Sequence, residues 1–181
     1  MESSSAVRCT YQDLQSIPWE VRRHEILDGK LYVTPSPRIA HQKVVVNLSS
    51  MMTALARGHT LGDVIPNVSV HVHDELVFEP DLTFVQKDRL SIADPKSHVH
   101  GVPDLAIEIL SPSNRSYDRN LKRRHYMECG LPELWLVDID TRSIEVWRPG
   151  AERPELVRDS ITWRVGDASF DLPFEEIFWG I

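Results

Sequence analysis

The segment Pro103-Asp104-Leu105-Ala106-Ile107-Glu108-Ile109-Leu110 carries one carboxylate in the middle of an apolar run. A short run of this kind is a strand buried on both faces, so it needs neighbouring strands and a layer above and below. Inside it, an ionised Glu108 costs several kcal/mol unless something compensates. A divalent metal ion would do so. So would a buried arginine, or a place at the exposed end of the strand, and the run alone leaves these alternatives open.

The rest of the chain supplies the layers. Residues 21–33 read as a hairpin around the turn pair Asp28-Gly29, with Leu31 and Val33 alternating with Lys30 and Tyr32. Thr34-Pro35-Ser36-Pro37 interrupts regular structure, and over residues 40–57 Val44, Leu48, Met51, Met52 and Leu55 recur at helical spacing before Gly58. Strands are expected over 63–72 and 76–85, followed by a polar loop over 86–101. After the Glu108 strand, Ser111-Pro112-Ser113-Asn114 is a break, and a second helix is expected over 117–129 with Gly130 at its C-terminal cap. Residues 134–137 make another core strand, 143–147 pairs with it, 156–163 adds one more, and 172–178 closes the chain as a short helix. This order predicts an α/β sandwich on a mixed central sheet with added peripheral strands. The 181 residues fit one domain, since domains commonly run to ~100–200 residues.

Charge narrows the functions open to such a fold. A formal net charge of -7 argues against a protein that coats nucleic acid by bulk electrostatics, which usually carries a basic face to displace phosphate counterions. It leaves room for a metal-dependent phosphodiesterase, which needs clustered carboxylates and only a local basic strip. Arg115, Arg119, Lys122, Arg123, Arg124 and His125 form such a strip, or else a solvated helix face. No apolar block suggests a signal peptide or reaches the ~18 residues of a membrane span, so a cytoplasmic protein without membrane contact is expected. Cys9 and Cys129 are too few and too distant for a disulfide framework or a zinc pair.

Other residues could join Glu108 in chemistry. Asp81 stands in Glu79-Pro80-Asp81-Leu82 at the mouth of a strand, where Pro80 stiffens the backbone. Two carboxylates on adjacent strands can share a hard cation, and Mg²⁺ commonly takes only one or two of them with water and phosphate oxygens; a Pro-Asp pair also marks turns. Asp104 follows a proline too, but four strand residues put it ~13 Å from Glu108, too far for one ion. Lys122 lies on the helix after the Glu108 strand, which packs back over the strand ends. An ammonium there can orient the attacking water and offset charge on a scissile phosphate, while a solvent-facing lysine is the plainer alternative. Two His-X-His pairs, His71/His73 and His98/His100, suit a transition metal or are simply surface histidines.

The run from Gly101 through Ser113, then Tyr117-Asp118, Lys122, Tyr126, Gly130-Leu131-Pro132-Glu133 and Trp135-Leu136-Val137-Asp138, resembles the Uma-type restriction endonucleases, a bacterial family within the PD-(D/E)XK nuclease superfamily. Glu25 with Asp28-Gly29, Pro35, His41 and Pro80-Asp81 look like its earlier blocks, so the resemblance spans nearly the whole chain. It implies a restriction-endonuclease-like core of helix, three strands, helix and strand. It makes Asp81 the motif's aspartate and Glu108 its second acid. The superfamily's lysine falls two residues later, where Leu110 stands, so Lys122 takes that role from the next helix, with Glu25 an additional acid near the metal. The resemblance further implies Mg²⁺ or Mn²⁺ held by Asp81, Glu108 and the Ile109 carbonyl, nucleic acid and specifically DNA as substrate, and a homodimer like relatives that cut both strands.

Two other functions compete with an endonuclease. A catalytically silent module of the same fold would bind nucleic acid or a partner protein without turnover. A histidine-metal oxygenase or hydrolase on a β-barrel would carry iron or zinc, and the two long helical patterns weigh against a barrel.

Overall fold

The computed structural model of the chain describes residues 8–16, 23–34, 36–112 and 115–181. The predicted breaks at Pro35 and Ser113-Asn114, and the start of the expected hairpin at Val21-Arg22, lie outside the described residues. A short helix α1 (Tyr11–Ser16), which periodicity did not indicate, precedes the hairpin of β1 (Arg23–Leu27) and β2 (Lys30–Thr34). Asp28 and Gly29 both have positive φ, 52° and 69°, the two left-handed turn residues whose twist suits a tight hairpin. Then comes α2 (Ile39–His59), burying Val44, Val45, Leu48 and Met52 on one face.

The two strands expected over 63–72 and 76–85 each divide in two: β3 (Gly62–Pro66) and β4 (Val70–His73), then β5 (Leu76–Phe78) and β6 (Leu82–Gln86). The physical reason is local backbone chemistry. Asn67 adopts φ 48°, which ends β3, and Pro80 has no N–H to carry a ladder on from β5. The halves go to different sheets. The polar segment 86–101 is less irregular than its composition suggests, forming a 3-10 helix (Lys87–Ile92) and a two-residue strand β7 (Val99–His100). Asp104 anchors it, accepting from Gln86 N at 2.8 Å and from Arg89 Nη1 at 2.7 Å.

All six residues of β8 (Leu105–Leu110) are buried. A π-helical turn (Tyr117–Lys122) runs into α3 (Arg123–Glu128) and returns the chain to β9 (Glu133–Asp138), parallel to β8. β10 (Ser143–Trp147) and β11 (Glu155–Val157) extend that sheet. The tail differs from expectation: β12 (Ser160–Val165) and β13 (Ala168–Pro173) form a separate ribbon, and helix α4 (Phe174–Ile177) starts only after Pro173.

The main sheet has the order β11-β10-β9-β8-β6-β3 and a second sheet the order β2-β1-β5-β4-β7. In chain order α2, β3, β6, β8, the 117–128 helix and β9 make the expected core, with one parallel pair, β8 and β9, in an otherwise antiparallel main sheet. Two apolar clusters flank β8. Leu105, Ile107 and Ile109 pack with Val44, Leu48 and Met52 of α2 and with Trp163. Ala106 and Leu110 face the other cluster, with Phe78, Tyr126 and Leu131. Strand alternation places Glu108 on this second face, beneath the 117–128 helix. Among the described residues no helix is long and apolar enough to cross a membrane.

Candidate active site

Asp81 sits one residue before β6, and Leu82 pairs with Ile107 in the antiparallel register, so continuing that register by one step sets Asp81 beside Glu108. Instead of extending the ladder by main chain alone, the Asp81 Oδ2 accepts from the Ile109 N–H at 2.7 Å. On its other side, His41 of α2 brings Nε2 within 3.1 Å of the same oxygen. The helix that covers the opposite sheet face thereby reaches round the strand end to orient the aspartate.

Lys122 points inward. Its Nζ lies 2.6 Å from Glu25 Oε1 and 2.7 Å from Glu108 Oε1. A π-turn adds a residue to the helical repeat and is a common device for aiming a side chain at a functional site; here Lys122 ends such a turn, directly before α3 begins. One helical turn later Tyr126 donates its hydroxyl to Glu108 Oε1 at 2.6 Å. Glu25, from the hairpin strand β1, also accepts from the Glu79 N–H at 2.8 Å and from the Tyr117 hydroxyl at 3.2 Å. Thus Glu25, Asp81, Glu108 and Lys122 come together from four separate parts of the chain, with Glu25 bonded to the lysine. Asp104 is elsewhere, committed to Gln86 and Arg89.

Glu25, Asp81, Glu108 and Asp118 are all buried, at most 5 % exposed, and the cations buried with them are Lys122 and, when protonated, His41. Negative charge is therefore in excess. Burial drives the Glu108 carboxyl well above the usual range; Lys122 opposes this, and Asp118, Asp81 and Glu25 reinforce it. For Lys122, burial favours the neutral amine, but Glu108, Glu25 and Asp118 outweigh it and keep the ammonium charged well beyond the ordinary lysine range. Burial likewise raises Asp118 to about 7, opposed by Lys122 and reinforced by Glu25 and Asp81. Low-dielectric acid clusters of this kind either hold extra protons or accept a cation.

The sign of that shift fixes a pH effect. With its folded pKa above the unfolded one, Asp118 keeps a proton that the unfolded chain has already lost, so stability falls as pH rises toward and through about 7. Without divalent ions, urea unfolding from about pH 5 to about pH 8 is expected to show a decline of up to about 3 kcal/mol that Asp118→Asn lacks. A decline of equal size in that variant would show that another group titrates.

The expected basic strip is not a free phosphate-binding surface. Arg115 binds Asp138 and Asp140, Arg119 binds Glu145 and Asp138, and Arg123 stacks over Trp147 at 4.2 Å. The sequence reading gave His41, Tyr117, Asp118 and Tyr126 no role. The signal for Asp118 and Tyr126 was their spacing of four residues on either side of Lys122, which helix geometry places near one face. For His41 the signal was only its place among the earlier blocks of the family resemblance, since a lone histidine on a helix says nothing of a strand end.

The donor set is hard oxygen, which suits Mg²⁺ or Mn²⁺ better than a thiophilic metal. Among the described residues, the only three His, Cys, Asp or Glu side chains with ligand atoms all within 4.8 Å of one another are histidines elsewhere. An ion at the acids would therefore rest on the Asp81–Glu108 pair, with main-chain and water oxygens completing its shell.

Residues 11–168 match the family described as "Uma2: Putative restriction endonuclease". Among solved structures the chain is similar to a protein from Anabaena variabilis ATCC 29413, described as "a putative nuclease belonging to DUF820". The TM-score is 0.78 at 19% sequence identity, covering 93% of this chain and 97% of that one, a likeness of fold. No curated protein matches.

Proposed function

This chain belongs to the Uma2 family, matched over residues 11–168, and from that premise we propose that it is a metal-dependent endonuclease hydrolysing phosphodiester bonds in DNA. The observation that carries the reading is the contact of Lys122 with Glu25 and Glu108, with Asp81 beside them through the Ile109 N–H, in one buried, over-acidic cluster. Asp81, Glu108 and the Ile109 carbonyl hold Mg²⁺ or Mn²⁺. An ion held there would supply polarisation of the phosphodiester and a lowered pKa for a bound water.

The chain's own residues set up that chemistry. Both Glu108 contacts fall on Oε1, leaving Oε2 for the cation. His41 and the Ile109 N–H orient Asp81, and Tyr126 orients Glu108. Lys122, steadied by Glu25, is the positive group that positions the attacking water and offsets charge gathering on the scissile phosphate. The 181 residues act as one nuclease-like domain, and cutting both strands of a duplex calls for a homodimer with two such sites.

A plasmid and a single-stranded DNA incubated with Mg²⁺, Mn²⁺ or chelator test this. Wild type is expected to nick and linearise the plasmid with either ion and not with chelator, and Asp81→Asn to do neither. Undiminished cutting by Asp81→Asn refutes the site, while metal-independent DNA binding with no turnover by wild type supports a catalytically silent module instead.

A further inference from the structure

Away from the acids, the second sheet gathers three imidazoles at its edge. β7 pairs in parallel with β4 through only two residues, and that register sets His71 opposite His100. His98 lies two residues before His100, its ring centroid 4.2 Å from that of His100 and 5.9 Å from that of His71. One ring nitrogen from each of the three lies within 4.8 Å of one from each of the others. The trio joins the His98/His100 pair to His71 of the other pair and leaves His73 out. The register shifts between His71 and His73, taking His73 out of line, and its Nδ1 accepts instead from the Glu75 N–H.

We propose that His71, His98 and His100 form a second metal site, specific for a borderline transition ion such as Zn²⁺, that staples β7 to β4. Three independent features support it. The buried His98 Nε2 has no hydrogen-bond partner, and the His71 Nε2 has only the largely exposed Asp74 carboxylate at 3.6 Å, an arrangement that a coordinate bond satisfies. His98 Nδ1 lies 3.2 Å from the Tyr11 hydroxyl and 2.5 Å from Ser97 Oγ. A ring whose Nδ1–H is held by such a partner presents Nε2 as the metal-binding lone pair. Tyr11 of α1 also stacks on the His71 ring at 4.3 Å, holding its plane.

The chemistry selects the ion. Three neutral imidazoles with a fourth position for water suit zinc, nickel or copper, whereas Mg²⁺ wants oxygen ligands. Burial, with the neighbouring imidazoles, lowers the pKa of His71 against the opposing pull of Asp74 and that of His98 against Asp94, favouring the neutral, ligating form. Tetrahedral zinc brings ligand nitrogens to roughly 3.4 Å from one another, a closure that side-chain rotation supplies. A two-residue parallel strand has little hold of its own at a sheet edge, so a crosslink there would fix β7 and, through Tyr11, α1. This site shares no residue with the acid pocket and does not depend on the nuclease reading.

The test is Zn²⁺ titration of chelator-treated, full-length protein against a chromophoric competitor, repeated with Co²⁺ to read tetrahedral absorption bands. Wild type is expected to take one Zn²⁺ per chain with micromolar or tighter affinity. His98→Gln and the surface variant His100→Gln, both checked for folding by circular dichroism, are each expected to bind at least about a hundredfold more weakly. His73→Gln and Asp81→Asn are expected to bind as wild type does. The proposal is overturned if wild type takes up no zinc in this range, if His98→Gln and His100→Gln keep wild-type affinity, or if Asp81→Asn abolishes binding, which would place the ion among the acids.

Discussion

Lys122→Met is expected to cost the ion-free protein about 3–5 kcal/mol at pH 8, the usual effect of removing one partner from buried ion pairs. The lysine neutralises Glu25 and Glu108 at 2.6 and 2.7 Å, and methionine keeps most of the stem's volume while leaving those carboxylates without their ammonium. The loss should depend on pH in a defined direction. Without the ammonium the raised pKa of Glu108 rises further, so the folded variant holds that proton to higher pH and is penalised as pH increases through that range. Chemical denaturation is thus expected to show wild type and variant converging near pH 5 and diverging toward pH 8, with Mg²⁺ narrowing the gap. Equal stability at pH 8 without ions would mean that Lys122 does not balance the cluster. Cleavage should fall by about 10²–10⁴, the range attributable to a positioned proton-transfer group.

Glu108→Gln should separate chemistry from folding. The amide oxygen can still accept from Tyr126 and Lys122, so the hydrogen-bonding frame persists. Removing a carboxylate whose ionisation burial opposes should leave ion-free stability at neutral pH unchanged or raised. Metal-dependent cleavage, by contrast, is expected to drop about a thousandfold, the equivalent of losing several kcal/mol of metal-ion stabilisation. Thermal melting beside a single-turnover plasmid assay reads both effects. Cleavage within about threefold of wild type would remove Glu108 from the reaction, and a collapsed melting curve would assign it to the fold instead.

Much of this was legible before any coordinates. The apolar run around Glu108, the helical spacing from Val44 to Leu55 and the Asp28-Gly29 turn each report one local conformation, and all three formed as expected. Strand length alone set Asp104 apart from Glu108, and Asp104 indeed serves the 86–101 segment. A resemblance over nearly the whole chain pointed to Asp81, Glu108, Lys122 and Glu25; Lys122 contacts Glu25 and Glu108, and Asp81 bonds to the N–H of Ile109, next to Glu108.

What the sequence by itself determined was therefore the order of the core elements and which residues carry unusual charge, because periodicity and turn chemistry act over a few neighbours. The tertiary structure decided the rest: that Lys122 turns inward, that Glu25 holds the lysine, that Asp118, His41 and Tyr126 belong to the same pocket, and that the neighbouring arginines are taken up by Asp138, Asp140 and Glu145. It also joined the His98/His100 pair to His71 across strands and left His73 outside the group. These outcomes depend on register and on the pairing of strands far apart along the chain. A one-residue shift in register reverses which face a side chain takes, and nothing local to a residue records it.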